Sequence, residues 1–246
     1  VSVAHTEITC KPASAGTGKD QAWKVTVGDQ QSAASSDTTS YTAPAISGLS
    51  GLLSFKTDGS DSALVTITGT NFGVVDDDNV AIAVYQNAGL SSAYAKGEFA
   101  ARDCAVSVAH TEITCKPASA GAGKLQAWKV TVGDQQSSAS SAKTSYTVPA
   151  IDSFNPGSFP TDDATSVTIT GTNFGVAATA NAVSATYQNT TASNLAGSLY
   201  EATGCAVSVA HTEITCKPAA SGGAGKDQAW KVTVGGSTPA HSRGQR

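Results

Sequence analysis

The chain has 246 residues, of which 40% are hydrophobic and only 14% charged, and its formal net charge is −4. Such a composition excludes an intrinsically disordered chain, which needs low hydrophobicity with high net charge. A negative net charge without a basic cluster argues against nucleic-acid binding. No run of about 18 apolar residues occurs, so we expect no direct insertion into a membrane.

An internal repeat organises the chain. The segment VSVAHTEITCKPA begins at Val1, Val106 and Val207, and the segment QAWKVTVG follows each copy. A third block, VTITGTNFG, begins at Val65 and again at Val167. Copies about 100 residues apart match one whole immunoglobulin-like domain and are far longer than a solenoid repeat.

The order of the blocks sets the predicted domain boundaries. The tripeptide Pro-Ala-Ile opens two of the units, at Pro44 and Pro149. We therefore predict the C-terminal half of a domain at residues 1–43, a complete domain at 44–148, a domain without its last strand at 149–236 and an unmatched tail at 237–246. The three domain segments are called the first, second and third unit below. The strand missing from the third unit reads TSYT in the other two.

The predicted elements of each unit are strands. Apolar and polar residues alternate along VTIT, along the two segments that carry the cysteines and along WKVTV, a pattern typical of strands with one buried face. No segment shows a helical period. We predict an all-β fold in which immunoglobulin-like β-sandwiches stand end to end. The recurring tryptophans share a face with valines, so we expect core packing rather than stacking on carbohydrate: Trp23, Trp128 and Trp230.

Three acidic residues follow the TGTNFG block of the second unit: Asp76, Asp77 and Asp78. Their oxygens suit calcium. The equivalent stretch of the third unit, residues 177–181, has no acid, and the spacing is not that of an EF-hand. We interpret the cluster as a solvated loop, with a calcium site as the weaker alternative.

The five cysteines are explained by the repeat. Cys104 and Cys115 have the same spacing as Cys205 and Cys216, and the partner expected for Cys10 falls outside the chain. We predict two disulfides, Cys104–Cys115 and Cys205–Cys216, which indicate an extracellular or cell-surface location. Buried free thiols in a cytosolic protein are the alternative, and neither spacing fits a Cys-x2-Cys metal site.

Several polar features are candidates for surface chemistry. Asn189 opens the sequon Asn-Thr-Thr, which predicts N-glycosylation unless it arose by chance. The Ser- and Thr-rich stretches 32–39 and 137–144 are either carriers of O-linked sugar or flexible hairpins. Each AHTE segment places a histidine two residues before a glutamate, and on a strand the two would point to the same side. We favour a solvent-facing polar pair over a metal or acid–base site: His5, His110 and His211.

The motifs together, Pro-x-Ile, TITGTNFG, Cys…Cys-x-Pro, WKVTV and SYTxP, resemble the IPT/TIG domain. This immunoglobulin-like domain occurs in plexins, some transcription factors and many cell-surface proteins. The resemblance covers nearly the whole chain and implies adhesion, ligand binding, spacing or dimerisation without a shared active site. In the ITGTNFG block we expect Gly69 and Gly171 to permit a tight turn, and Phe72 and Phe174 to fill the core.

The function that these expectations favour is structural. We expect an extracellular adhesive or filament protein that acts as a rigid spacer, with copies of itself or neighbouring repeats as partners through stacking and lateral or edge-strand association. The alternatives are a ligand-binding ectodomain, for protein or glycan, and a non-catalytic module of a secreted carbohydrate-active enzyme. No catalytic Ser-His-Asp order or phosphate loop is present, so we expect neither an enzyme nor a cofactor.

Overall fold

The structure is a computed structural model, and it describes residues 5–75, 81–88, 98–161, 165–177, 183–189, 199–219 and 228–237. This part of the chain contains strands and no helix. The prediction of an all-β fold is therefore confirmed. The acidic cluster Asp76 to Asp78, our weak calcium candidate, lies outside the described residues.

The strands of the described residues, to which the counts below refer, fall into three groups along the chain. The first unit has four two-residue strands, β1 to β4: Gln21–Ala22, Thr26–Val27, Gln30–Gln31 and Thr38–Thr39. The second has ten, β5 to β14: Ala45–Gly51, Ser54–Phe55, Val65–Thr70, Ile82–Asn87, Phe99–Ala100, Arg102–Val108, Glu112–Lys116, Gln126–Val132, Gln135–Gln136 and Lys143–Tyr146. The third has seven, β15 to β21: Ala150–Asn155, Val167–Thr172, Val183–Asn189, Tyr200–Glu201, Thr203–Val209, Glu213–Lys217 and Gln228–Val234.

The second unit is a two-sheet sandwich. One sheet has the order β10-β11-β7-β5, and the other has the order β6-β14-β12-β8-β9 with β13 added to β12. All its strand pairs are antiparallel except β6 with β14. Buried and half-exposed residues alternate along β7, β11 and β12, so each sheet turns one face inward and one outward.

The core between these sheets is aromatic at its centre. The ring of Tyr85 on β8 stacks on Trp128 of β12 at 4.4 Å between ring centroids. The hydroxyls of Tyr85 and Tyr146 lie 2.6 Å apart, and Phe55 packs edge-on against both rings. Because the two buried hydroxyls bond each other and the backbone of Ala118, both are satisfied within the core.

The third unit repeats this architecture with one difference. Its sheets have the orders β15-β16-β20-β19 and β18-β17-β21, and Tyr187 stacks on Trp230 at 4.5 Å. Strand β21 pairs with β17 on one side. On its other side the described residues contain no strand equivalent to β14, although a single bridge joins Val234 to Ser237. Strand β21 is thus an edge strand within the described part of the chain.

The first unit presents one layer of the sandwich. Trp23, the counterpart of the fully buried Trp128, is 38% exposed. Val25 and Val27 on the same segment are exposed as well. In the described residues no second sheet faces this segment.

The role that we expected for the glycines of the ITGTNFG block is wrong. Gly69 and Gly171 lie inside strands β7 and β16, and no turn begins there. A Cβ on Gly69 would overlap the carbonyl of Ala45 on β5, so the glycine permits two backbones to approach closely. The turn itself is made two residues later by Asn71, at φ 63°. Both phenylalanines of the block are fully buried, as expected.

The serine-rich segment after β12 hydrogen-bonds to that strand through two of its serines. Ser137 and Ser140 are buried. Their hydroxyls accept hydrogen bonds from the backbone nitrogens of Val130 and Trp128, at 3.0 and 2.9 Å. Serines 32 and 35 of the first unit make the same bonds. These four hydroxyls extend the sheet edge, and in the second unit they are buried, whereas Ser32 and Ser35 of the first unit are exposed.

Candidate functional site: the joints between units

The most distinctive features of the molecule lie where one unit meets the next. The first joint lies between the first and second units, and the second joint lies between the second and third. Pro44 and Pro149, which open the following units, are both buried. At each joint an asparagine side chain donates to the carbonyl just before the proline: Asn71 to Ala43 at 3.0 Å and Asn173 to Val148 at 3.4 Å.

A glycine-on-glycine contact is common to both joints. At the first joint Gly133, in the turn after β12, lies against Gly18 so closely that a Cβ would overlap the Gly18 backbone. At the second joint a Cβ on Gly235 would come within 2.8 Å of the Cα of Gly123. Gly133 and Gly235 occupy the same position of their repeats, as do Gly18 and Gly123. The units therefore meet through one repeated backbone contact that leaves no space for a side chain.

Polar side chains add to this contact. Gln135 Nε2 donates to the carbonyl of Tyr41 at 3.0 Å across the first joint. Asn87 Nδ2 donates to the carbonyl of Gly235 at 3.2 Å across the second. Ala122, beside Gly123, packs into the core of the third unit. Each joint thus combines three contacts. They are the asparagine bond to the carbonyl before the proline, called the linker clamp below, the glycine contact and a hydrogen bond between units.

Two of the three histidines of the AHTE segments, His110 and His211, lie at these joints. His211 Nδ1 lies 3.0 Å from the Oγ1 of Thr57 in the preceding unit, and Thr57 is only 1% exposed. His110 stands at the same place in the first joint, where it is exposed. Both histidines sit in turns with positive φ, at 65° and 67°.

The sequence suggests that each histidine and the glutamate two residues later lie on the same side of a strand. They do not, because only the glutamate belongs to the strand. The histidine lies in a turn, and Glu112 opens strand β11 beyond it. Glu112 accepts a hydrogen bond from Ser107, and Glu213 accepts one from Ser208. No group of three or more His, Cys, Asp or Glu residues that could hold a metal ion occurs among the described residues.

A polar cavity of about 190 Å³ lies at the first joint. Its walls come from both units and include hydroxyl, amide and imidazole groups: Ser14, Tyr41, Thr42, Asn71, His110 and Gln135. Such a lining can exchange hydrogen bonds with a small polar ligand. Because this set spans two units, the cavity could not be found from the sequence of either one.

The cysteines lie away from the joints. Cys104 bonds to Cys115 with an S–S distance of 2.09 Å, and Cys205 bonds to Cys216 at 2.05 Å. Each bond ties two neighbouring strands of one sheet, β10 to β11 and β19 to β20. Cys10 is a free, exposed thiol.

Ionisable groups are perturbed at a few places. Burial raises the pKa of Tyr85 to about 12, and burial together with the neighbouring Tyr85 hydroxyl raises the pKa of Tyr146. A hydrogen bond from the backbone of Ser60 lowers the pKa of Asp58, and the nearby His211 lowers it further. A hydrogen bond from Lys116 lowers the pKa of Asp103. The two tyrosine shifts arise from burial in the core of the second unit, and the two aspartate shifts arise from local hydrogen bonds.

Asn189, the sequon asparagine, is the last residue of β17 and is partly exposed. It pairs in register with Gln228 on β21. Among the described residues there is no helix that could cross a membrane.

Comparison with known proteins supports the resemblance seen in the sequence. Residues 149–245 match the family model described as the IPT/TIG domain. This match confirms the resemblance over the third unit. None of the curated proteins matches the chain.

Two solved structures match the chain with low overall similarity. One is SGBP-B from a complex xyloglucan utilization locus in Bacteroides uniformis, at 18% identity, with 82% of this chain and 49% of that one covered and a TM-score of 0.29. The other is a crystal structure with xylogluco-oligosaccharide, at 16% identity, with 93% and 55% covered and a TM-score of 0.32. The chain spans about half the length of each.

Proposed function

We propose that this array of IPT/TIG units serves as an extracellular spacer. The repeated joint holds successive units end to end at a fixed relative orientation. The observation that carries the proposal is the recurrence of one contact: Gly133 on Gly18 and Gly235 on Gly123. A contact used twice with equivalent residues relates each unit to the next in the same way. Such an arrangement suits a stalk or a filament building block.

The joints are built to restrict bending. A hinge needs a linker that can change its backbone angles. Here the proline is buried and the carbonyl before it is held by an asparagine. The glycine contact brings two backbones together, so tilting one unit on the next would cause overlap on one side and open a gap on the other.

The extracellular location rests on the two disulfides. Bonds of this kind persist in oxidising compartments and are rare in the cytosol. The stacking partner is a neighbouring repeat of the same protein, and a strand from another copy would pair with β21, which is an edge strand within the described residues. Sedimentation over a range of concentrations tests the edge-strand association: mass that rises with concentration supports it, and a constant monomer mass contradicts it.

The spacer proposal is tested by the shape of the chain in solution. Small-angle scattering combined with negative-stain images should give one elongated particle with a narrow distribution of angles between units. A broad distribution of angles, with units visible as separate bodies on loose tethers, would contradict the proposal.

Binding of a glycan is the second candidate, as in an ectodomain or a non-catalytic module of a secreted enzyme. The cavity at the first joint supports it, because hydroxyls, amides and an imidazole converge there from two units. Titration calorimetry with neutral oligosaccharides tests this candidate, with His110→Ala as the cavity variant and His5→Ala, the equivalent exposed residue of the first unit, as the control. Binding that both variants retain equally would remove the cavity from consideration.

A further inference from the structure

The strands of the second unit run along the line that connects its two joints. Strand β12 follows Gly123, which lies at the second joint, and ends beside Gly133, which lies at the first. Strand β14 is antiparallel to β12 and therefore runs towards the second joint, and β6 lies parallel to β14 beside it. A pull exerted by the two neighbouring units would thus act lengthwise on these strands.

The chain enters the second unit through β5 and leaves it through β14. Strand β5 begins directly after Pro44 at the first joint and pairs with β7 along its length. After two further residues the chain continues into β6, which pairs with the exit strand β14. Tension would pull β5 and β6 towards the first joint and β14 towards the second. Strands β6 and β14 would therefore have to slide past each other before the unit could open.

Backbone hydrogen bonds oppose this sliding. The nitrogen of Ser145 on β14 donates to the carbonyl of Leu53 at 2.9 Å. The nitrogen of Thr147, just after β14, donates to the carbonyl of Phe55 on β6 at 2.8 Å. Interstrand bonds run across the strands, perpendicular in antiparallel pairs and slanted in parallel ones. A lengthwise pull therefore loads all of them together, whereas a pull that peels one strand end away breaks them one after another.

We propose that the second unit resists tension along the array, and that the pairing of β14 with β6 and β12 has to yield before the unit unfolds. The resistance is kinetic, because unfolding under force is governed by the unfolding rate. This function goes beyond the spacer proposed above and does not need rigid joints, since tension aligns each unit with the pull. A chain whose joints proved loose in solution would still contain a unit that resists force.

The direction of the pull tests the proposal while the core stays intact. Single-molecule force spectroscopy on the full chain uses cysteine handles at exposed positions, in a Cys10→Ser background that removes the free thiol. Ser47→Cys on β5 with Val148→Cys after β14 applies the force lengthwise. Lys124→Cys with Val148→Cys peels β14 from β12 at the end that faces the second joint. The lengthwise pair should unfold the second unit at several times the force of the peeling pair, and equal forces would overturn the proposal.

Removal of a single backbone donor provides the second test. Thr147→Pro removes the bond to Phe55, because proline has no backbone N–H. The control, Ala101→Pro, removes a similar bond to the carbonyl of Ala83, at 2.9 Å, which lies away from the strands that receive the pull. With the lengthwise handles at constant force, Thr147→Pro should shorten the lifetime of the second unit about 2- to 10-fold. Ala101→Pro should leave that lifetime unchanged, and equal lifetimes in the two variants would contradict the role of β14.

Discussion

The Cα of Gly123 in the second unit lies 2.8 Å from the point where a Cβ on Gly235 of the third unit would stand. Gly235 has a φ of 54°, and so does Gly28, its counterpart in the first unit. Gly28 has no atom within 4 Å of its would-be Cβ. Gly235 and Gly28 thus share the same backbone angle, but only Gly235 contacts a neighbouring unit. Comparing the two separates the effect of positive φ from the effect of the contact between units.

Substitution of these glycines should reveal what the joint requires. An alanine at a positive φ costs about 1 kcal/mol wherever it stands. Gly235→Ala should cost an additional 1–3 kcal/mol or so, because a methyl group forced into a packed contact displaces its neighbours. We expect Gly235→Ala to broaden the angle between the second and third units in small-angle scattering. Gly28→Ala should leave the shape unchanged, and equal profiles for both variants would contradict the role of the contact.

The buried tyrosine pair predicts a loss of stability at alkaline pH. The pKa of Tyr85 is raised from 10.0 to about 12, and that of Tyr146 is raised as well. The unfolded chain therefore loses these protons first. Stability is fully present below about pH 10 and falls as the pH rises towards about 12, by up to about 1.4 kcal/mol per pH unit for each tyrosine.

Urea midpoints measured at several alkaline pH values test this dependence. Tyr85→Phe removes one of the two groups, so its slope should be about half that of the wild type. Tyr41→Phe is the control, since Tyr41 is only partly buried and lies outside the second unit. A second-unit transition with no alkaline slope in the wild type would contradict the prediction.

The fold and the joints differ in how far the sequence predicts them. The alternation around Trp128 is local, and it correctly indicates a strand with the ring in the core. The glycine contact has no such signal, because Gly28 and Gly133 stand in the same local sequence, VTVGDQQS, and only Gly133 meets a neighbour. The neighbour that distinguishes Gly133 from Gly28 comes from a distant part of the chain. For example, Gln135 and Tyr41, which bond across the same joint, are 94 positions apart.

The error over Gly69 has a similar cause. Within its own block the glycine precedes Asn71, and a turn is the natural interpretation of that local sequence. The structure shows that Ala45, on the neighbouring strand β5, sets the requirement. The cysteines are the opposite case, since their pairing depends on two segments of one hairpin, and the repeat itself identifies the partners. The structure joins Cys104 to Cys115 and Cys205 to Cys216.

Removing a disulfide should destabilise its unit without affecting the joints. The double variant Cys104→Ser, Cys115→Ser opens a loop with a sequence separation of 11 residues. In the chain-entropy model this costs about 3 kcal/mol. The urea transition of the second unit should shift down accordingly, while Cys10→Ser, which removes the exposed free thiol, should leave every transition in place. A double variant as stable as the wild type would show that the bond does not form in the native chain.

The bond between Thr57 and His211 predicts a specific weakness of the second joint. Thr57→Val keeps the shape of the side chain and removes the hydroxyl that lies 3.0 Å from His211 Nδ1. Thr57 is buried, so the imidazole nitrogen loses its partner where water has little access, and the joint should lose about 1 kcal/mol. The equivalent residue of the third unit, Thr161, is exposed, and Thr161→Val is the matched control. Amide hydrogen exchange around His211 should be faster in Thr57→Val alone; equal exchange in both variants would mean that the glycine contact and the linker clamp hold the joint without this bond.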